Sequence, residues 1–340
     1  MIQDNGHIKG IRNINRLKIL NYIYTHKEAT KAEIAKKLGV SAPTVSRNLE
    51  PYINKLVINN GKTGSKLGRK ADILEFSNEN KIIGIQVENE FIIYGVYNLK
   101  QELLFSKKCF FKKFDCIDDL CNQLKESLKD IDKKENVLST VLGISGYVSK
   151  DGFINSSALK INETNIKKVV ETIKELFPKS LISFENDANL LAIKEKFYYG
   201  KDVKNIVCIY WGKGVGMGLI FGGELYVGKG QAGELGSIIT YGDTLEKYIE
   251  KAQEEHIIAE WLKLLRNIYY VLQPDKIVMN CQHEKEINKI ITRWKELYPD
   301  FKDVKIHKSE EISIVEGAAI LAIELYLKKI TVGIKGEVVY

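Results

Sequence analysis

The hydrophobic positions of the first fifty residues fall into three short runs with helical spacing. The first run predicts a helix that ends near His26, with its apolar side made by Leu17, Leu20, Ile23 and Tyr24. Thr30 is followed three residues later by Glu33, which is the capping-box pattern at the start of a helix. Gly39 ends this second helix. A third helix follows at once, so the segment predicts a helix-turn-helix.

The third helix is the one expected to carry chemistry. Its buried side is predicted to consist of Val45, Leu49 and Ile53. Ser41 is its predicted N-cap, and the side that faces away from the core carries or adjoins Ser41, Thr44, Arg47 and Asn48. Arginine pairs with the guanine edge, and the shorter polar side chains contact bases or phosphates. These residues therefore predict a recognition helix for DNA. A plain three-helix bundle with a polar face is the alternative.

The segment that follows predicts a wing. Pro51 disfavours helical geometry just before it, so the third helix is expected to bend or restart there. Apolar residues at 56–58 and 73–76 flank a glycine-rich basic stretch at 59–70, which is typical of a loop between two short strands. The basic residues predicted to contact DNA from this loop are Lys62, Lys66, Arg69 and Lys70. A flexible linker is the alternative.

From Lys81 onward, apolar strands alternate with helical patterns. The main predicted strands lie at 82–87, 91–97, 137–144, 181–184 and 206–211, with helices at 115–131, 166–177 and 188–197. Alternation of this kind defines an α/β fold.

Charge divides the chain at the same place. Residues 1–78 hold 14 Lys and Arg against 6 Asp and Glu, whereas residues 79–340 hold 37 against 38. A basic unit joined to a neutral body suggests that the basic unit meets a polyanion. The alternative is a solvated lysine-rich face.

Composition excludes several classes of protein. The 340 residues are 44% hydrophobic and 28% charged, as in an ordinary globular protein, and no stretch reaches the roughly 18 uncharged apolar residues of a membrane span. Five cysteines without a C-x-x-C pair predict reduced thiols. We expect an untargeted, cytoplasmic protein with no membrane partner.

Two motifs in the body suggest a ligand site. Asn186-Asp187 follows an apolar strand and precedes a helix, which is where α/β folds place ligands; a helix N-cap is the alternative for the aspartate. The glycine run at 212–223 either brings the backbone close to a phosphate or makes a tight hairpin.

The order of motifs resembles the ROK family of bacterial sugar-responsive repressors and sugar kinases. The matching motifs, in chain order, are the basic wing ending in Gly68-Arg69-Lys70, the turn Gly143-Ile144-Ser145-Gly146, the stretch 185–189, the glycine run at 212–218, the stretch 230–236 and Gly317-Ala318-Ala319. The resemblance implies a winged helix-turn-helix at 1–78 and a two-lobed actin-like ATPase fold at 79–340. Lobe one would comprise about 79–187 with a C-terminal helix at about 311–329, and lobe two about 188–310.

The family's sugar-binding residues carry over to this sequence at four positions. The Asn-Asp pair that holds sugar hydroxyls, with the aspartate as base in the kinases, matches Asn186 and Asp187. Two further sugar-contacting glutamates match Glu234 and Glu246. The resemblance implies that these four line an effector pocket between the lobes. A solvated position in the first turn of a helix is the alternative for Glu246.

The sequence departs from the family's enzymes at two places. The Asp-x-Gly-Gly-Thr-like loop that supports ATP is replaced by 86–90, in which Gln86 stands for the aspartate and Glu88 and Glu90 occupy turn positions. Carboxylates beside a triphosphate are repulsive. The family's zinc-binding histidine is replaced by Ser237, and 238–246 contains no cysteine. We therefore expect no catalytic residue, no metal and no cofactor.

These observations predict a transcriptional regulator of carbohydrate-metabolism genes, most simply a repressor. It would bind a palindromic operator in double-stranded DNA as a homodimer or higher homo-oligomer, and sense a sugar in its α/β body. A ligand-independent DNA-binding regulator with a decayed pocket is one alternative, and an active sugar kinase with a DNA-binding unit is another.

Overall fold

The computed structural model describes residues 2–63, 71–148, 154–156, 159–281, 283–299, 310–333 and 338–339. Within these ranges the side chains of residues 2–9, 62, 63, 281, 284, 338 and 339 are not described. The helices are α1 Ile2–His26, α2 Lys31–Leu38, α3 Ala42–Leu49, α4 Ile117–Leu128, α5 Ile166–Leu176, α6 Asp187–Tyr199, α7 Leu245–Lys251, α8 Glu254–Leu272, α9 Glu284–Leu297 and α10 Ser313–Thr331.

The strands form three main sheets and two short hairpins. They are β1 Glu28–Thr30, β2 Val57–Thr63, β3 Ala71–Phe76, β4 Lys81–Val87, β5 Phe91–Asn98, β6 Leu103–Phe110, β7 Val137–Ile144, β8 Tyr147–Val148, β9 Ile154–Asn155, β10 Leu181–Asn186, β11 Ile206–Trp211, β12 Val215–Phe221, β13 Glu224–Tyr226, β14 Ile239–Thr240, β15 Asp243–Thr244, β16 Lys276–Cys281 and β17 Val338–Val339.

The N-terminal unit consists of α1 to α3 and the sheet β1-β3-β2. The predicted capping box is present, because Thr30 Oγ1 accepts the N–H of Glu33 while the Glu33 carboxylate accepts the N–H of Thr30. Gly39 closes α2 in the left-handed conformation at φ 66°. The antiparallel pair β2 and β3 forms the predicted wing.

The third helix is shorter than its apolar pattern predicts. It ends at Leu49 with Glu50 as its C-cap, directly before Pro51, whose ring and missing N–H oppose another helical turn. Ile53 therefore packs against the core from the turn after α3 rather than from the helix.

The body is built around two sheets. The first has the order β17-β10-β7-β4-β5-β6, with β10, β7 and β4 parallel and β5 and β6 added antiparallel. The second has the order β13-β12-β11-β16. Helices α4 and α5 cover one face of the first sheet, and α8 and α9 cover one face of the second. Strands β4, β7 and β11 are almost wholly buried, as expected of central strands covered on both faces.

Two helices lie between the sheets and hold them together. Helix α10 packs on β4 and β7 of the first sheet, α6 packs on β11 and β12 of the second, and the two helices pack on each other. A glycine stands at each contact. A Cβ on Gly84 would lie 2.1 Å from the carbonyl oxygen of Val315, one on Gly317 2.0 Å from that of Leu190, and one on Gly218 2.1 Å from that of Ala188. At each of these three contacts, the backbones of neighbouring elements therefore touch directly.

The N-terminal unit packs against the first lobe through α1 and α10. Apolar residues of α1 and α10 belong to one continuous core, which includes Ile19, Leu20, Ile23, Ile320, Ile323 and Leu327. The Tyr52 hydroxyl donates to the carbonyl oxygen of Ile330 at 3.2 Å, and Tyr24 donates to Gln101 Oε1 at 3.3 Å. The N-terminal unit is therefore attached to the body by apolar burial and by specific hydrogen bonds.

We predict that Gly317→Ala lowers the free energy of unfolding by about 3 kcal/mol, because its Cβ would force α6 and α10 apart. Gly10→Ala is the matched control. No atom lies within 4 Å of a Cβ at this position of α1, so alanine should stabilise the helix by up to about 1 kcal/mol. Urea unfolding followed by circular dichroism measures both changes, and equal midpoints for the two variants would contradict this account of the interface.

Candidate functional site

The exposed face of α3 presents part of the predicted DNA-reading set. Arg47 and Ser41 are exposed, and Thr44 is half-buried. Ser41 caps the helix by accepting the N–H of Thr44, and the two hydroxyls lie 2.9 Å apart. Asn48 is different, because it is buried and its amide donates to the carbonyl oxygen of Thr44 at 2.9 Å. The fold thus places Asn48 inside the unit and leaves Arg47 as the long side chain free to reach a groove.

The wing is described only in part. Lys62 lies in β2, where the structure gives its backbone and its pairing with Asp72. The predicted DNA contacts Lys66, Arg69 and Lys70 lie outside the described residues.

A second site lies in a small cleft between the two lobes, with a volume of about 40 Å³. It brings together the motifs that the sequence analysis singled out separately. Its lining residues are Glu88, Ser145, Gly146, Asn186, Asp187, Tyr210, Lys213, Gly214, Val215, Gly216, Glu234 and Glu246. All four predicted effector-binding residues are among them.

Asn186 caps helix α6, and the adjacent Asp187 is the first residue of that helix. Asn186 is the N-cap of α6, since its Oδ1 accepts the N–H groups of Ala188 and Asn189 at 2.9 and 3.2 Å. Its amide also donates to the carbonyl oxygen of Gly146, which ties the strand end to the neighbouring turn. The capping role considered for Asp187 is thus carried by Asn186, although Asp187 Oδ1 also accepts the N–H of Ala188 at 2.7 Å.

Asp187 is the most deeply buried charged group of the cleft. Burial raises its pKa well above the usual range for aspartate, and the nearby charges of Glu88 and Glu234 add to the rise. A carboxyl group with a raised pKa in a polar cleft is typical of a binding or proton-accepting site.

The two predicted glutamates lie at the rim of the cleft. Partial burial raises the pKa of Glu234, and the charge of Glu246 adds to it. Glu246 is in the first turn of α7, and its Oε1 accepts the N–H of Val215 at 3.1 Å. A Cβ on Gly236 would lie 2.2 Å from the same oxygen. Glu246 therefore fastens the loop after β11 as well as lining the cleft.

The glycine run and Tyr210 bring the end of β11 to the cleft, and Tyr210 was not among the residues predicted from the sequence. The run forms a tight hairpin between β11 and β12, in which the N–H of Gly212 donates to the carbonyl oxygen of Gly214. Tyr210 is buried near the end of β11 and donates to Glu88 Oε1 at 2.8 Å. A tyrosine near the carboxyl end of an otherwise apolar strand was the available signal.

A β-hairpin occupies the stretch where the resemblance would place zinc ligands. Strands β14 and β15 are joined by a turn at Tyr241 and Gly242, with φ 48° and 82°. Thr240 donates to the buried Glu260 carboxylate at 2.6 Å and anchors this hairpin to α8. Within the described ranges, no group of three or more His, Cys, Asp or Glu side chains is arranged to hold a metal ion.

Fold and sites together define a protein in which a winged helix-turn-helix is fixed to a two-lobed α/β body with a carboxylate-lined cleft. Residues 82–248 match the ROK family, and residues 12–55 match the winged helix-turn-helix DNA-binding family. The chain therefore carries a ROK family domain, preceded by a winged helix-turn-helix DNA-binding domain at its N-terminal end. The predicted fold class is confirmed.

Relatives by sequence include proteins named xylose repressor. The chain is 23% identical to the xylose repressor of Staphylococcus xylosus over 357 residues, covering 89% of this chain and 92% of that protein. It is 23% identical to the xylose repressor of Lactiplantibacillus pentosus, covering 83% and 75%. A protein of Caldicellulosiruptor sp. strain Rt8B.4 is 30% identical over 66% of this chain, and the match spans 58% of that relative's length.

Solved structures share the fold. A ROK family transcriptional regulator, described as a homologue of the E. coli MLC protein, aligns with a TM-score of 0.71 at 17% identity and covers 95% of this chain and 99% of that one. A ROK family glucokinase from Streptomyces griseus aligns with a TM-score of 0.55 at 16% identity, covering 72% of this chain and 99% of that one. In the part of the chain that the structure describes, no helix has the length and apolar character to cross a membrane.

We predict that Asp187→Asn stabilises the protein at neutral pH by about 1 kcal/mol, because asparagine keeps the acceptor for the Ala188 N–H without a buried charge. The pKa of Asp187 is raised in the folded state, so wild-type stability falls as pH rises from the unfolded value of about 3.9 towards the folded one. The advantage of the variant should consequently be larger at pH 8 than at pH 5.

Urea unfolding at the two pH values measures this difference. The exposed Asp202 supplies the control, since Asp202→Asn should change stability equally little at both. A variant at 187 that is less stable than wild type at pH 8 would show that the fold itself requires the charged carboxylate.

Proposed function

We propose that this protein is a transcriptional repressor of carbohydrate-metabolism genes that binds double-stranded DNA through its winged helix-turn-helix and a sugar through its interlobe cleft. The observation that carries the proposal is the fixed attachment of the DNA-binding domain to a body whose cleft gathers Asn186, Asp187, Glu234 and Glu246. The relatives named xylose repressor support the same function and make D-xylose the first sugar to test.

The DNA interface we propose consists of Ser41, Thr44 and Arg47 on α3, with Lys62, Lys66, Arg69 and Lys70 on the wing. Asn48 would support this face from inside, by its bond to the Thr44 carbonyl, rather than touch a base. Binding as a homodimer to a palindromic operator follows from the usual matching of protein symmetry to DNA symmetry. We propose that this takes place in the cytoplasm.

We propose that the body senses a sugar without phosphorylating it. Glu88 lies in the loop that would support ATP phosphates in the kinases and is occupied by hydrogen bonds from Tyr210 and Gln86. Glu90, in the same loop, pairs with Lys213 from the glycine hairpin at 2.9 Å. Carboxylates at this position repel a triphosphate, and the two loops hold each other instead.

Linkage between the two sites would run through the paired helices. Asp187 is the first residue of α6, α6 contacts α10 at the Leu190–Gly317 approach, and the end of α10 accepts the Tyr52 hydrogen bond. A sugar that prefers one arrangement of the lobes would thereby bias the position of the DNA-binding domain. Coupling requires that DNA prefer the other arrangement.

We predict that Arg47→Ala weakens the preference for the operator over unrelated DNA by about 1–3 kcal/mol, because a guanine contact is lost. The control is Arg47→Lys, which keeps the charge but not the two-pronged hydrogen bonding. It should retain the salt dependence of wild-type binding and still lose discrimination. Selection from randomised duplexes, followed by competition titrations, measures both, and an unchanged preferred sequence in Arg47→Ala would refute the placement of the recognition helix.

We predict that Asp187→Ala abolishes the response to sugar while operator binding stays within about twofold of wild type, since removal of the effector contact leaves the DNA-binding domain unchanged. Thermal shift against monosaccharides and amino sugars identifies the effector, because a ligand that binds the native state raises the melting temperature. The matched control is Asp202→Ala, on the surface.

Two outcomes would count against the proposal. Loss of operator binding in Asp187→Ala would make Asp187 a structural residue. Absence of any sugar-induced shift in the wild type would favour a ligand-independent regulator.

A further inference from the structure

Two loops that face each other across the cleft are joined by their own side chains. Residues 86–90 comprise the end of β4 and the turn after it in the first lobe, and residues 212–214 connect β11 and β12 in the second. Tyr210 of β11 donates to Glu88 Oε1 at 2.8 Å, and Gln86 Nε2 donates to the Tyr210 hydroxyl at 3.1 Å. On the solvent side, Lys213 pairs with Glu90. These contacts bridge the lobes at the mouth of the cleft.

The inner bridge is shielded from water, whereas the outer one is exposed. Gln86, Glu88 and Tyr210 are 3%, 7% and 5% exposed. A buried hydrogen bond to a carboxylate contributes more than an exposed ion pair, which solvent and salt screen. Burial raises the pKa of Glu88, and the bonds from Tyr210 and Gln86 oppose that rise by favouring the ionised form. The Tyr210–Glu88 contact is therefore the bridge that matters for closure.

The closed cleft leaves no room for a monosaccharide beside Asp187. Its volume of about 40 Å³ holds a few water molecules, whereas pockets that enclose small molecules measure about 300 Å³ or more. A ligand must part the lobes to reach Asp187, and Tyr210 and Glu88 stand on opposite sides of that opening. Parting the lobes therefore breaks their hydrogen bond.

The charges of the cleft restrict what can replace that bond. Glu88, Asp187, Glu234 and Glu246 line the cleft, and the lysine that lines it, Lys213, is paired with Glu90. A hydroxyl group can donate to a carboxylate that has lost Tyr210, whereas a phosphate is repelled by it. The cleft accordingly suits an uncharged, hydroxyl-rich ligand.

We propose that Tyr210 and Glu88 form a latch that holds the lobes closed without effector, and that an uncharged sugar enters by taking the place of Tyr210 on the Glu88 carboxylate. The inference rests on the proposed function of the cleft as the effector site. It adds Glu88 as a ligand-binding residue to the four effector-binding residues proposed above.

The latch is tested first without any ligand, by hydrogen exchange of the full-length protein. Tyr210→Phe removes one hydroxyl and should speed exchange about tenfold in both loops, at amides such as Glu88 N–H and Gly212 N–H, which are hydrogen-bonded in the closed state. Tyr226→Phe, on exposed β13, is the control and should change neither loop. Unchanged exchange, or a change in only one loop, would overturn the latch.

A second variant guards against a local packing effect. Glu88→Gln should speed exchange in the same two loops, and adding Tyr210→Phe to it should produce little further change, because the two single substitutions break the same contact. Fully additive effects would show that the two residues act independently, and would overturn the proposal.

Ligand binding is tested by calorimetric titration with D-xylose and D-glucose, and with D-glucose 6-phosphate as the charged counterpart. The sugar that binds wild type should bind Tyr210→Phe about tenfold more tightly, since no hydrogen bond to a charged group has to be broken first. Glucose 6-phosphate should bind neither protein.

The other outcomes are equally decisive. Weaker sugar binding by Tyr210→Phe would make Tyr210 a ligand contact and overturn the latch, and binding of the phosphate would overturn the inferred ligand class. If neither sugar binds any variant, the exchange data alone decide on the latch, and the failure belongs to the sugar-sensing function.

Discussion

The direct contact of backbone with backbone between α6 and α10 is the constraint on which the rest of the body depends. Gly84, Gly317 and Gly218 allow four layers, sheet on helix on helix on sheet, to approach more closely than side chains would permit. Because the helices lie on the inner faces of both sheets, their separation fixes how far apart the lobes stand. The cleft at the start of α6 lies beside this packing, and the Tyr210–Glu88 hydrogen bond closes its mouth.

The same pair of helices connects the cleft at one end of the molecule to the DNA-binding domain at the other. Helix α6 begins with the cleft residue Asp187, and α10 ends beside the DNA-binding domain. A rigid, closely packed pair transmits displacement with little loss, since protein interiors are nearly incompressible. In the function proposed above, the signal from the cleft to the DNA-binding domain therefore requires no flexible segment between them.

Local sequence rules predicted most of the elements, because capping residues, apolar periods and turn glycines act within a few residues. The capping box at Thr30, the strands β4, β7 and β10 and the helix after Asn186 all follow from such signals. Local rules could not predict the roles of residues whose partners lie far away in the sequence. Asn48 is buried by tertiary packing, Glu246 meets a loop thirty-one residues away, and Tyr210 meets a loop from the other lobe. A single sequence can mark such a residue as unusual, but it does not give the partner that the residue contacts.

The core shared by α1 and α10 also bears on how such a protein can be recombined. Apolar side chains of the DNA-binding domain and of α10 belong to one hydrophobic core. Neither part therefore buries its apolar surface without the other. Cutting the chain near residue 78 would leave a large apolar surface exposed on both fragments. A chimera that joins this winged helix-turn-helix to a different body would therefore also need the final turns of α10.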